Sequence, residues 1–490
     1  PRRPAARLRG RRSPPDLGAT VVLLLALLVT GMFLEGDSAS AVARNGAIGV
    51  GIGIAVLALL EMRHTWRNLF RADLLALMGL YFLSLFEFWF QQTAFDRAVG
   101  ADITVAGTQL LLWGFAGLAI GRHLLPAPSR HVSRLMHQPT PPALLIGVFW
   151  FCVFIGYLHM LLAVNFNPIA LWEGMLQPRF ARPWGRGRIG GWHTLITELG
   201  LFRYLIPPLA GIVIARYRRY HQGQVLTVAF GFALTLFEGF ASGTRNVFGI
   251  YLFTFLIGYA FALPRTAWKK SMFSFGIGAL LMYWATSVML AFREVGLAAY
   301  LAGEGRGRYL EDSAGIFIDH NLANIAKLTE VFPAVYDYLG FEIPYLAIVR
   351  PIPRALWPGK PEGLSVGIEE ALGVEGLTLS TTFVGEAYMS GGVLGVLLTG
   401  IVFGMIAGWW TQHLRTKNSD FGILVYASGF FAFAIGMRSM LWFTTGMLPA
   451  VAAIVMGNYL LNRYRARPRY SPRISRVRGR KRYSGRPSGS

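Results

Sequence analysis

Residues 350–392 read RPIPRALWPGKPEGLSVGIEEALGVEGLTLSTTFVGEAYMSGG, and residues 393–410 continue as VLGVLLTGIVFGMIAGWW. The first stretch is dense in proline, glycine and charge. The second carries no charge and is apolar enough for a bilayer. The junction therefore reads as a chain passing from water into a membrane, and the segment before it as chemistry presented at one membrane surface.

The whole chain supports that reading. Its 490 residues are 54% hydrophobic and 15% charged, with mean hydropathy +0.45, whereas soluble domains carry roughly a quarter charged residues. This excludes an ordinary soluble globule. The net charge is +22, from 47 Lys and Arg against 25 Asp and Glu. Six Arg lie in the first twelve residues and eleven Lys or Arg in residues 463–490. Basic tails beside membrane segments fix topology and meet anionic lipid, so no nucleic-acid partner is expected. The single cysteine, Cys152, excludes an intrachain disulfide and a cysteine-based metal site. The Arg-rich start resembles a signal sequence, but residues 17–34 are long enough to span and lack a small-residue cleavage site.

A membrane-spanning helix needs about 20 mainly apolar residues. Segments of that kind fall near 17–35, 46–60, 73–91, 103–121, 142–164, 193–215, 224–241, 246–263, 271–292, 383–410, 420–437 and 440–461. The expected fold is an all-α polytopic membrane protein of about twelve spans with a large extracytoplasmic loop forming a small helical cap. Alternate loops are basic: Arg63, Arg67 and Arg71; Arg122, Arg130 and Arg134; Arg216, Arg218 and Arg219; Arg265, Lys269 and Lys270; Arg415 and Lys417. Counted with the tails, 31 of the 47 basic residues fall on that side, which the positive-inside bias makes cytoplasmic. The plan is then a basic cytoplasmic tail (1–16), nine spans (17–292) with an Arg-rich outer loop at 165–192, a cap (293–382), three spans (383–462) and a basic disordered cytoplasmic tail (463–490). Within the cap, Phe317, Leu322, Ile325, Leu328 and Val331 recur at helical spacing over residues 312–331. They suggest an amphipathic helix lying along the surface and ended by Pro333.

Arginines on the outer side run against the bias and need a cause. Arg179, Arg182, Arg186 and Arg188 crowd one outer loop, and Arg245, Arg293, Arg350, Arg354 and Lys360 occupy other outer positions. Guanidinium forks match phosphate oxygens, so a lipid-borne pyrophosphate is one partner. Lipid phosphates or the loop carboxylates Glu362, Glu369 and Glu370 are the alternative. Arg245 sits in the tight turn SGTR (242–245), where Gly243 frees the backbone and the following helix N-terminus adds donors. Glu386, where the cap re-enters the membrane, is costly unless paired; it is either an arginine's partner or a catalytic base. Asp319 and His320 form a second candidate proton-accepting pair, against a solvated helix face. Glu198 and Arg203 read as a structural pair. Gly49, Gly51 and Gly53 lie inside a span and read as helix packing, not as a nucleotide loop. The nine histidines are scattered, so no metal or cofactor is expected.

Three stretches carry a family likeness: SGTR (242–245), IPRALWPGKPE (352–362) and TTFVGEAYMSGGVLG (381–395). In this order, with a long outer loop between the first and second, the chain resembles the oligosaccharide repeat unit polymerases, the Wzy-type O-antigen and capsule polymerases, over roughly residues 237–410. The resemblance implies a glycosyltransferase of the bacterial inner membrane. It would transfer a growing glycan from polyprenyl pyrophosphate to a new lipid-linked repeat unit, without metal or soluble cofactor. Arg245, Arg354, Lys360 and Glu386 match motif positions, Arg293 matches loosely, and the 165–192 loop resembles the family's other basic outer loop. Its arginines and those of the cap would hold the pyrophosphate, and Glu386 would take the acceptor's proton. Expected partners are lipid-linked oligosaccharides, membrane lipid, and a chain-length regulator and flippase of the same pathway. A ligase that moves finished glycan to another lipid and a transporter of lipid-linked sugars are the rival readings.

Overall fold

The computed structural model describes residues 14–90, 92–124, 136–179, 181–184, 198–293, 295–303, 321–354, 356–374, 379–413 and 419–466, with Val132, Arg134 and Ile196 besides. These residues form helices and turns, with no strand among them. The principal helices are α1 (Leu17–Met32), α2 (Ala39–Met62), α3 (Ala72–Ser84), α4 (Ala101–Gly121), α5 (Pro142–Ala163), α6 (Pro168–Leu176), α7 (Ile206–Ala215) and α8 (Gln222–Ala241). They continue with α9 (Arg245–Ala262), α10 (Trp268–Phe292), α11 (Asn321–Val331), α12 (Glu342–Val349), α13 (Thr382–Gln412), α14 (Asp420–Phe430), α15 (Ala432–Arg438) and α16 (Met440–Ala466).

Nine helices among the described residues are long and apolar enough to cross a membrane, and the chain is a multi-pass membrane protein. The other three apolar segments expected from the sequence are helical but shorter: α1, α3, and residues 199–215, where a tight 3-10 stretch (Leu199–Leu205) leads into α7. Pro207 and Pro208 open α7, a position where a missing N–H costs nothing.

Side-chain bonds sort the helix ends into two groups. At the first, Arg122 at the end of α4 reaches Glu61 at the end of α2 and Asp73 at the start of α3, and Ser419 donates to the Met136 carbonyl at 2.9 Å. At the second, Asn321 donates to the Leu83 carbonyl at 2.7 Å, and Tyr388 donates to the Phe332 carbonyl at 2.9 Å. These two groups coincide with the two sets of loops that basic residues separate.

Small residues let the backbones approach, the packing mode expected where lipid removes the hydrophobic drive between helices. A Cβ on Gly117 of α4 would stand 2.9 Å from Gly400 Cα of α13. Gly49 and Gly53 seat α2 against Thr30 and Ala26 of α1, as the sequence suggests. Two spans are less regular than the sequence implies. Helix α13 breaks at Gly391 and Gly392, the latter at φ +61°. The segment near 420–437 is divided at Phe431 into α14 and α15.

Helix α11 corrects an expectation. It ends at Val331, before Pro333, but it does not lie along a surface. Leu322, Ile325 and Leu328 are fully buried, and a Cβ on Gly107 of α4 would come within 3.0 Å of Ala326 Cα. Its apolar stripe packs against α4 and α13, which enclose the helix where a surface position was expected. The start of that expected helix, residues 312–320, lies outside the described residues.

Candidate functional site

The first cationic group forms around the turn between α8 and α9. After Ala241 the chain turns at Gly243, whose φ of +63° is the left-handed region that suits glycine. Ser242 Oγ donates to the Gly239 carbonyl at 2.7 Å and accepts the Thr244 amide at 3.1 Å. Arg245 then begins α9. The Arg293 backbone packs onto this turn: a Cβ on Gly243 would stand 3.2 Å from Arg293 Cα. Arg182 ties the 165–192 loop to the same place, donating to the carbonyls of Met175 at 2.9 Å and Ala241 at 2.6 Å. Burial lowers the Arg182 pKa, against the pull of Glu238, and Arg179 lies close enough to add repulsion. The fold therefore gathers Arg179, Arg182, Arg245 and Arg293, with Arg182 acting as a clamp. Arg186 and Arg188 lie outside the described residues.

A salt-bridge chain supports this group from beneath. Arg203 Nη1 lies 3.2 Å from Glu238 Oε1, and Arg182 Nη1 lies 3.9 Å from the same oxygen. Tyr251 donates to the other oxygen at 3.5 Å. Glu238 is thus a carboxylate partner of Arg203 that the sequence reading did not pair with it. Nothing in the local sequence marks a contact between residues 35 positions apart on different helices.

The second group forms where residues 350–362 meet the start of α16. Lys360 Nζ donates to the carbonyls of Arg350 at 2.7 Å and Ile352 at 2.9 Å. The chain doubles back between them through a turn closed by the Lys360 amide, which donates to the Trp357 carbonyl at 3.1 Å. Desolvation first, then Arg350 and Arg354, lower the Lys360 pKa below the ordinary lysine value, while Glu198 opposes them. Arg354 lies 3.5 Å from Glu362, whose side chain is 93% exposed. An ion pair that open is worth ~0–1 kcal/mol, so it does not hold the guanidinium in place. The Arg350 guanidinium stacks 4.2 Å from the Trp442 ring centroid.

Glu386 belongs to this group and is buried. Its two oxygens accept from Ser439 Oγ and from the Met440 amide, the latter at 2.6 Å, and Arg350 acts on it electrostatically. Its hydrogen-bond partners are a hydroxyl and the amide that opens α16, a partner that neither role read from the sequence named. Carboxylates are favoured there by unsatisfied amides and the helix dipole. Asp319 and His320 lie outside the described residues.

The two groups flank one segment. Glu198, which acts on Lys360, precedes the 3-10 stretch that carries Arg203 of the first group. Trp442 and Ser439 escaped sequence reasoning. The only available signal was their place beside Arg438 at the reversal between the last two spans.

The first end holds a different feature. Arg71 and Arg122, which read as loop charges, are fully buried with Glu61 and Asp73. Arg122 reaches Glu61 at 2.5 Å and Asp73 at 2.8 Å, and Arg71 reaches Asp73 at 3.0 Å. Thr411 of α13 donates to Asp73 at 3.2 Å and accepts the Ala72 amide at 3.0 Å. Two acids offset two bases there, so the cluster balances charge and joins α2, α3, α4 and α13.

Among the described residues no group of three His, Cys, Asp or Glu side chains is placed to hold a metal ion. No protein-family model, curated protein or solved structure matches the chain.

Proposed function

We propose that the chain is a membrane glycosyltransferase that polymerises polyprenyl-pyrophosphate-linked oligosaccharide repeat units at the extracytoplasmic face of a bacterial inner membrane. In this reading the first end and both basic tails are cytoplasmic, and the second end faces outward. The observation that carries it is the gathering of Arg350, Arg354 and Lys360 beside Glu386 at the end that positive-inside bias should leave poor in cations.

A pyrophosphate needs several donors and compensating charge where a leaving group develops. Lys360 spends two of its three N–H groups on carbonyls, leaving one directed elsewhere. Arg354 is released from Glu362 at little cost. Arg245 and Arg293 offer a second cationic place across residues 198–205, which suits a reaction between two lipid-borne substrates. Glu386 acts as a positioning residue, fixing the first turn of α16 and, through it, Arg350. Glu386 is also the first candidate to take the proton from the acceptor hydroxyl. Two membrane-anchored reactants supply proximity.

A ligase uses the same donor, so only the acceptor separates the two enzymes. The transporter reading is disfavoured because Arg350, Arg354 and Lys360 lie outside every span-length helix, whereas a transport path needs such groups at mid-membrane depth. Purified protein incubated with lipid-linked oligosaccharide tests the proposal. Laddered products are expected. Transfer only to a different acceptor indicates a ligase, and translocation without product indicates a transporter; either overturns polymerisation.

A further inference from the structure

The cap contains a helix that is apolar on two opposite faces. The inner face of α12 is buried through Ile343, Leu346, Ala347 and Val349 against α16. The outer face carries Phe341, Tyr345, Ile348 and Ile352, all exposed, with Phe341 at 72% and Ile348 at 63%. Tyr345 and Ile348 lie three residues apart on one face of α12, Phe341 stands at its N-cap, and Ile352 and Leu356, the latter 73% exposed, follow its C-terminal end. The polar side chains lead away from it: Glu342 accepts from the Ser365 amide and hydroxyl, at 2.5 and 2.6 Å, and Lys360 turns back to the Arg350 carbonyl.

Three observations identify what covers this face. First, Thr444 donates to the Ala347 carbonyl, so α12 lies beside a residue one turn inside α16, a helix long and apolar enough to span. Second, Arg350 stacks on Trp442; a cation on an amphipathic ring is the pairing that suits a membrane–water boundary. Third, Val451, two turns beyond Thr444 on the same side of α16, is exposed, as is Val455. A two-faced apolar helix at that depth has protein on one side and hydrocarbon on the other.

We infer that α12 is an interfacial helix seated in the bilayer at the second end, its Phe341, Tyr345, Ile348 and Ile352 face covered by lipid acyl chains. The cap is then partly embedded, and Arg350 stands at headgroup depth. Given the function proposed above, a lipid-borne pyrophosphate reaches Arg350, Arg354 and Lys360 sideways from the leaflet. The placement of α12 does not depend on that function.

The test uses the full chain in phospholipid nanodiscs, with Cys152→Ala as background because Cys152 is the only cysteine. Spin labels are placed singly through Tyr345→Cys, Ile348→Cys and, as a water-facing control on the same cap, Gly363→Cys. A Cβ at Gly363 meets nothing within 4 Å, and the two labelled helix positions are exposed, so all three tolerate the label. Collisional relaxation by oxygen, which partitions into hydrocarbon, is compared with that by a water-soluble nickel complex. Oxygen is expected to dominate at 345 and 348 and the nickel complex at 363. Nickel dominance at all three positions overturns the inference, placing α12 in water. Protection of 345 and 348 from both reagents also overturns it, because a second protein surface then covers the face.

Discussion

The Met440 amide donates a 2.6 Å hydrogen bond to Glu386 Oε2, while Ser439 Oγ donates to the other oxygen. Helix α16 thus begins on a carboxylate carried by the N-terminal half of α13, 54 residues earlier in the chain. Arg350 is in electrostatic contact with the same carboxylate and stacks on Trp442, two residues further along α16. Glu386 therefore joins the segment that carries Arg350, α13 and α16 at one point.

Removing that carboxylate leaves buried donors unmet, at about 1–3 kcal/mol each. Glu386→Ala is expected to lower the thermal midpoint of the purified protein clearly, and Ser439→Ala, which removes a single bond, to lower it less. Thermal unfolding followed by fluorescence in detergent checks the order. Equal midpoints for Glu386→Ala and the parent chain would show that the contact contributes nothing.

The buried cluster at the opposite end makes a sharper stability prediction. Deleting one member of a buried ion network costs about 3–5 kcal/mol, because the remaining charge is stranded. Arg122→Ala is expected to fall in that range, and Arg63→Ala, an exposed neighbour in the sequence, within about 0.5 kcal/mol of zero. Reversible unfolding in mixed micelles separates the two.

That contrast also shows where the sequence stops being informative. Arg63, Arg71 and Arg122 look alike as basic residues after apolar runs, and nothing local reveals that only the last two enter the protein. Their burial depends on Glu61 and Asp73 arriving from different helices. Apolar runs were legible because the bilayer length fixes how many such residues a helix needs. Gly243 and Glu386 were legible for a similar reason, since each is costly unless the fold requires it. The partners were not: Glu386 binds a backbone amide, and a backbone amide has no sequence signature. The surface placement expected for α11 failed because a one-sided apolar stripe looks the same whether protein or solvent adjoins its polar side.

The turn at Gly243 offers a test at the first cationic group. A side chain there meets the left-handed penalty of about 1–2 kcal/mol and would stand 3.2 Å from Arg293 Cα. Gly243→Ala is expected to reduce stability by about that amount and to shorten any glycan product, since Arg245 and Arg293 both adjoin the turn. Midpoint and product length, measured on one preparation, check both effects.

Lys360 supplies a pH dependence. Desolvation and its arginine neighbours place its folded pKa below the ordinary lysine value. The charged lysine therefore weakens the fold at neutral pH, and the penalty is relieved as pH rises through the folded pKa. A bound anion favours the charged form instead. Binding of inorganic pyrophosphate, followed by calorimetry, is expected to weaken on the alkaline side, starting below the pH at which an ordinary lysine titrates. Lys360→Arg is expected to move that decline upward, since guanidinium keeps its charge; an unmoved profile would remove Lys360 from the site.

In the proposed function, the cations at the second end handle a pyrophosphate during glycan polymerisation. The most direct measurement is the length distribution of products from lipid-linked oligosaccharide with the parent chain, Arg245→Ala and Arg354→Ala. A ladder is expected from the parent chain, and loss of polymer with unreacted single repeats in both variants. Unchanged chain length in both would contradict it.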